Sequence, residues 1–338
     1  MASIEKYWYE PNPVSVLLLP LAWLFCLVVI LRRFFYRASI LKPEKLPVPV
    51  IVVGNITVGG TGKTPLVVAI VEHLSHQGFK PGVVSRGYGG KAATWPQAVS
   101  AQSDAGQVGD EAVLLAQRCH CPVMVGPDRP QAARALLEKH TCDVIISDDG
   151  LQHYALHRDI EVVVIDGARR FGNKRCLPAG PLREPAQRVV EADYVVTNVS
   201  TDIATSTATS QTAFGKEIEM TLLPQAACNL RDKHVSMALS DFTKEPVHAV
   251  AGIGNPQRFF SQLRSLGIRL IEHPFKDHYS YTVNDVCFDD ALPVIMTEKD
   301  AVKCRSFAQA RHWYVPVTAQ IDNNFLQKIT EQLRKYNG

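Results

Sequence analysis

The hydrophobic pattern changes character along the chain. Residues 14–31 form an apolar run without a single charge, VSVLLLPLAWLFCLVVIL. As a helix this run would extend about 27 Å, close to the hydrocarbon thickness of a bilayer. Pro20 is expected to kink it, which membrane helices tolerate. Residues 42–49 carry three prolines and are expected to form a linker. From there short apolar runs alternate with segments of helical spacing. Strand-like runs fall at 48–53, 81–85, 122–125, 143–147, 161–165 and 193–196, and helix-like ones at 66–74, 112–118 and 129–139. This alternation predicts an α/β fold with a doubly wound parallel sheet, whose ligands bind beyond the carboxyl ends of the strands. Residues 200–212, STDIATSTATSQT, are biased to Ser, Thr and Ala and read as a domain boundary. Beyond them, runs at 248–253, 259–266, 268–273, 293–296, 313–317 and 325–335 predict a β-α-β-β-β-α unit.

Charge and composition sharpen this outline. Arg32, Arg33 and Arg37 follow the apolar run, with Lys42 and Lys45 beyond. The positive-inside rule then places the bulk of the chain in the cytoplasm. The basic flank also attracts anionic head groups, whether the helix spans the bilayer or lies on it. A cleaved signal peptide fits poorly, because the charges come after the apolar core. Lys and Arg total 36 against 33 Asp and Glu among 338 residues. That near balance does not point to nucleic acid. The eight cysteines have no regular spacing, and Cys119-His120-Cys121 lacks the wider four-ligand spacing of a zinc site. Reduced thiols fit a cytosolic compartment.

The candidate chemistry centres on residues 54–64, Gly-Asn-Ile-Thr-Val-Gly-Gly-Thr-Gly-Lys-Thr. They lie between an apolar run and a helical one, the context of a phosphate-binding loop. Backbone N–H groups of Thr57, Val58, Gly59, Gly60, Thr61 and Gly62 would surround phosphate oxygens at a helix N-terminus. Lys63 would reach the β- and γ-phosphates, and the Thr64 hydroxyl would hold Mg²⁺. Thr57 stands where the usual pattern has glycine. A strand ending in adjacent carboxylates, Asp148-Asp149, offers a site for a divalent cation. Asp166, at the end of another run, reads better as a turn residue. Asn-Lys-x-Asp is absent, which weakens a switch-GTPase reading. A membrane-anchored P-loop ATPase or nucleotide switch is the alternative to an enzyme acting on a lipid.

Eight motifs occur in order along the chain: 54–65, Ser-Arg-Gly-Tyr-Gly (85–89), Gly-Asp-Glu (109–111), Asp-Asp-Gly-Leu-Gln-His (148–153), Pro-Ala-Gly-Pro-Leu-Arg-Glu-Pro (178–185), Gly-Ile-Gly-Asn-Pro-Gln-Arg-Phe (252–259), Asp-His-Tyr (277–279) and Thr-Glu-Lys-Asp-Ala-Val-Lys (297–303). In these the chain resembles the tetraacyldisaccharide 4′-kinases, the lipid A 4′-kinases of Gram-negative bacteria. Leu151 departs from the aromatic expected at its position.

The resemblance implies ATP- and Mg²⁺-dependent phosphorylation of the 4′-hydroxyl of an acylated glucosamine disaccharide 1-phosphate, giving lipid IVA. It also implies attachment to the bacterial inner membrane with the catalytic domains on the cytoplasmic side, and no obligate protein partner is evident. It makes Asp110 and His278 the pair that takes the hydroxyl proton, with Lys63 on the phosphates. Thr64, Asp148, Asp149 and Glu184 become the metal candidates. Arg86, His153, Arg183 and Lys299 become candidates for phosphates or the lipid 1-phosphate. The expected division is a tail (1–13), a membrane-anchoring helix (14–36), a P-loop nucleotide-binding domain (37–199), a linker (200–212) and a smaller α/β domain closing over the site (213–338).

Overall fold

The structure, a computed structural model, describes residues 6–10, 12–199 and 217–336. Three helices lead: α1 (Lys6–Tyr9), α2 (Pro13–Leu17) and α3 (Leu19–Arg37). Asn12 caps α2 by accepting the Ser15 N–H at 2.8 Å. The expected kink at Pro20 is instead a break at Leu18, and Pro20 lies in the first turn of α3. Proline suits that position because its missing N–H has no intrahelical partner to lose. Only 6% of the apolar stretch of α3 is buried, so the described residues leave this surface uncovered. By length and composition α3 could cross a membrane. Its basic end is fastened to the body by Arg33 and Arg37 on Glu191.

The main sheet starts with β1 (Val50–Gly54), α4 (Lys63–His76), β2 (Pro81–Ser85), β3 (Gln97–Val99), α5 (Ala105–Val108) and α6 (Asp110–Arg118). It continues through β4 (Val123–Val125), α7 (Arg129–Lys139), β5 (Val144–Asp148), β6 (Ile160–Asp166), β7 (Tyr194–Val199) and β8 (Ile218–Pro224). Every residue of β1, β2, β5 and β6 is buried, as expected of strands covered on both faces. Alternation along β1 sorts the two layers. Ile51 and Val53 pack with Leu66 of α4 and Ala112 of α6, whereas Val50 and Val52 pack with Ala132 and Leu136 of α7.

A second sheet follows: β9 (Ala227–Asn229), β10 (Ser236–Met237), β11 (Val247–Ala251), β12 (Leu270–Pro274), β13 (Val294–Thr297) and β14 (His312–Val315). Its helices are α8 (Pro256–Ser265), α9 (Val283–Val286) and α10 (Glu298–Cys304). The chain then closes with β15 (Val317–Ile321) and α11 (Asn323–Tyr336). The strand orders are β15-β8-β7-β6-β1-β5-β2-β4-β3 and β10-β9-β14-β13-β11-β12.

The boundary expected near residue 213 is therefore corrected. β8 pairs in parallel with β7, and β15 returns antiparallel to β8. Phe325, Leu326, Ile329 and Leu333 of α11 complete the core that holds Leu66 and Ile70. The smaller unit is an insertion between β8 and β15. The run at 313–317 is two strands split at Pro316, which has no N–H to continue a ladder. The expected linker, 200–212, lies outside the described residues.

Candidate active site

The sheet order sets β1, β5 and β2 side by side, so the glycine loop, Asp148 and Ser85 leave the same edge. Thr57 is explained by what it touches. Residues 56–58 pair with 181–183: the Val58 N–H donates to Pro181 O at 2.9 Å and the Arg183 N–H to Ile56 O at 2.7 Å. The loop start is thus a short ladder, where a β-branched residue fits. Gly62 is left-handed at φ 93°, and a Cβ there would meet Asn198 Nδ2 at 2.7 Å. That amide donates instead to Thr61 O at 3.0 Å, tying the loop to the end of β7.

Lys63 opens α4, donates to Asn55 Oδ1 at 3.2 Å and lies 3.5 Å from Asp149 Oδ1. Arg183 Nη1 meets both Asp149 oxygens at 3.0 Å. Burial works against an ionised Asp149, but the charges of Lys63 and Arg183 prevail and hold its carboxyl well below the usual range. Asp148 shows the reverse. Burial, with the nearby Glu111 and Asp149 charges, pushes it up to about 7. Its Oδ2 accepts the Ser85 hydroxyl at 3.3 Å, and its buried Oδ1 has no hydrogen-bond partner among the described residues. An orphaned carboxylate oxygen beside a second carboxylate suits a hard divalent cation. Among the described residues no group of three or more His, Cys, Asp or Glu converges as a metal site. Glu184, another expected metal candidate, lies apart from this pair in a polar cluster of its own. It is fully buried and accepts from Tyr154 Oη at 2.6 Å and Gln152 Nε2 at 3.0 Å, with Arg188 at 3.5 Å and Arg33 of α3 at 3.9 Å.

Asp110 and His278, far apart in sequence, meet. His278 Nδ1 lies 2.9 Å from Asp110 Oδ1 and 3.2 Å from Oδ2. Asp110 begins α6, and the Tyr88 ring packs on His278 at 4.8 Å. Burial alone would raise the Asp110 pKa, but the His278 hydrogen bond and the charges of Lys299, His278 and Lys303 bring it down to about 2. His278 moves the other way: burial lowers its pKa, and the Asp110 bond outweighs this and raises it. The pair lines a cavity of about 1110 Å³ between the units, with Tyr281, Lys303 and Arg305. The loop before α8 reaches the phosphate loop, since a Cβ on Gly254 would sit 2.8 Å from Gly60 N.

Arg86 is exposed at the end of β2. His153 is held neutral, its pKa lowered to about 3 by burial and by the charges of Arg129, Arg86 and Arg32. Lys299 faces Glu111, Asp277 and His278. Sequence reasoning missed Arg129, which is fully buried and donates to Asp148 O at 3.3 Å. It also missed Asn198, Gly254 and Lys303. The last two lay inside motifs already noted, but nothing local marked them.

A glycine loop entering a helix at the carboxyl edge of a doubly wound sheet, with paired aspartates beside its lysine, is the architecture of an α/β kinase. The family model for tetraacyldisaccharide-1-P 4′-kinase matches residues 14–334, and the chain belongs to this family. A tetraacyldisaccharide 4′-kinase of Nitrosococcus oceani is 48% identical over 332 residues, covering 98% of this chain and 94% of that one. One from Alkalilimnicola ehrlichii is 49% identical over 343 residues, covering 100% and 99%. A crystal structure described as the "apo" form of LpxK from Aquifex aeolicus in complex with ATP superposes with a TM-score of 0.77. It is 29% identical and covers 95% of this chain and 99% of that chain.

Proposed function

We propose that this protein uses ATP to phosphorylate the 4′-hydroxyl of tetraacyldisaccharide 1-phosphate, giving lipid IVA in lipid A biosynthesis. The observation that carries the reading is the Asp110–His278 pair. It is assembled from both units, next to a phosphate loop that the smaller unit also touches. The backbone of residues 59–62 binds the phosphates, the Val58 N–H expected to join them being committed to Pro181 O, and Lys63 neutralises charge on the β- and γ-oxygens as the transition state spreads it. The Thr64 hydroxyl and the Asp148–Asp149 pair are assigned as Mg²⁺ ligands, on the strength of the orphaned Asp148 Oδ1. Mg²⁺ held there would supply neutralisation of the phosphate charge. Glu184 is assigned to fixing Gln152 and Tyr154.

The 4′-oxygen forms a bond to the γ-phosphorus as the bond to the β-γ bridging oxygen breaks, and ADP leaves. The hydroxyl proton passes to Asp110, which His278 orients and stabilises. Arg183 holds Asp149 in place. Arg86, exposed at the end of β2, is assigned to a lipid phosphate, with His153 as a neutral hydrogen-bonding group. α3, its apolar surface uncovered and its basic end docked on Glu191, is assigned to the inner membrane. It keeps the catalytic units on the cytoplasmic side, beside a bilayer-borne acceptor.

The test is incubation of purified protein with ATP, Mg²⁺ and the disaccharide 1-phosphate in mixed micelles. A lipid with a second phosphate is expected. ATP binding without that product would refute the reading.

A further inference from the structure

The Asp110–His278 pair has a neighbour that the reaction above does not use. Lys299 sits in the first turn of α10, and its ammonium has three N–H bonds and three acceptors. Glu111 Oε1 lies at 2.8 Å, Asp277 Oδ1 at 3.0 Å and His278 Nε2 at 3.3 Å. An ammonium can only donate, so the ring nitrogen facing it must present a lone pair. The ring proton then resides on Nδ1, where Asp110 accepts it at 2.9 Å. Both nitrogens are thereby committed, and Asp110 is left as the proton acceptor. Glu111 neighbours Asp110 on α6 of the larger unit, whereas Asp277 neighbours His278 on the smaller one. One cation therefore joins both carriers of the pair across the cleft. His278 is itself left-handed at φ 58°, a conformation that a non-glycine residue keeps only when its surroundings hold it.

We propose that Lys299 is a positioning residue for the phosphotransfer: it fixes His278 as the neutral Nδ1–H tautomer and locks its loop to α6. This rests on the Asp110–His278 reading. The charged groups around the ring are Asp110 and Glu111 from α6, Asp277 from its own loop, and Lys299 and Lys303 from α10. Lys303 stands 3.5 Å from Asp110 and 3.1 Å from Asp300. Among the described residues the uncharged Tyr88 side chain also packs against the ring. Of these, Lys299 is the one whose nitrogen faces Nε2. Its positive charge opposes protonation of the ring, while Asp110 and Asp277 favour it. Removing that charge lets the imidazolium form at higher pH.

The test uses the full chain in detergent micelles with ¹⁵N-labelled histidine, the His278 signals being those lost in His278→Gln. The parent is expected to show a protonated Nδ1 and a bare Nε2 on His278 once the pH is taken above the raised folded pKa of the ring. Lys299→Met should mix or reverse the tautomers and move the acid limb of kcat upward by about one pH unit. It should lower kcat about ten- to a hundredfold, while KM for ATP stays within about twofold. Lys299→Arg keeps the charge without the compact geometry, and should hold the acid limb near the parent's at intermediate kcat. A parent spectrum with the proton on Nε2 overturns the proposal. So does a Lys299→Met protein that loses kcat or thermal stability with tautomer and acid limb unchanged. Should Lys299→Met not fold, Lys299→Gln takes its place, and the parent spectrum still decides. Full activity in Asp110→Asn would sink the underlying pair instead, and the parent tautomer would remain readable.

Discussion

The contact between Asp110 and His278 can be weighed by a double-mutant cycle of Asp110→Asn, His278→Ala and the pair. Asp110 is 4% exposed, so solvent screens its interactions little. Its pKa falls from 3.8 to about 2 even though burial pushes upward. At about 1.4 kcal/mol per pH unit the net preference for the charged form is about 2–3 kcal/mol. Because burial opposes the shift, the favourable contacts together exceed this net, and the His278 hydrogen bond is the largest of them, ahead of Lys299 and Lys303. Loss of a general base typically costs about 10²–10⁴ in rate, so Asp110→Asn should cost about 10³ in kcat. His278→Ala should cost about 10–100-fold, the expense of losing orientation rather than the base. If the two act as one unit, the double variant is slower than Asp110→Asn by no more than about threefold. The assay is initial-rate lipid phosphorylation in mixed micelles at saturating ATP, with nucleotide binding measured separately. Fully multiplicative losses, or ATP affinity falling in step with kcat, would refute a shared catalytic role.

Asp148→Asn removes a buried carboxylate that burial and the Glu111 and Asp149 charges push up to about 7. Above that pH it should stabilise the metal-free protein by about 1–3 kcal/mol while abolishing Mg²⁺-dependent turnover. Thermal scans without metal check this, and a lower melting temperature would count against it. Gly254→Val places a Cβ 2.8 Å from Gly60 N, so it should push the smaller unit off the phosphate loop and raise KM for ATP about tenfold. Unchanged kinetics in a folded variant would show that the approach is not needed. The folded His278 pKa lies above its ordinary 6.5, so its contribution to stability is complete below 6.5 and fades as pH rises through the folded value. His278→Gln should remove that part of the pH dependence of unfolding, and identical slopes in both proteins would contradict the assignment.

Much of the larger unit was legible because its strands are continuous apolar runs and its helices keep a helical period. The run at 129–139 coincides with α7, and 81–85 with β2. The glycine loop was legible for the same local reason. Membership of the smaller unit was not. Ile218–Pro224 and Val317–Ile321 carry no local sign of which sheet they join, since that depends on β7 offering an open edge. Buried polar pairing was equally hidden. Glu184 looks like any motif carboxylate until Tyr154, Gln152 and Arg188 surround it. Lys299 looks like a phosphate ligand until Glu111 and Asp277 are seen to accept its hydrogen bonds. Asp110 and His278 were named through family resemblance. Their contact at 2.9 Å depends on how the inserted unit folds back onto α6.

The central claim is that Asp110 and His278, brought together from the two units, direct the γ-phosphate of ATP to the 4′-hydroxyl of a membrane lipid. The most direct measurement is ³¹P NMR and mass spectrometry of the lipid formed by the parent, Lys63→Ala and Asp110→Asn proteins with ATP and Mg²⁺ in mixed micelles. One new phosphate ester on the 4′-carbon is expected with the parent, falling by about 10³ or more in both variants. A phosphate on another hydroxyl, or an undiminished 4′-phosphate from Asp110→Asn, would contradict the account.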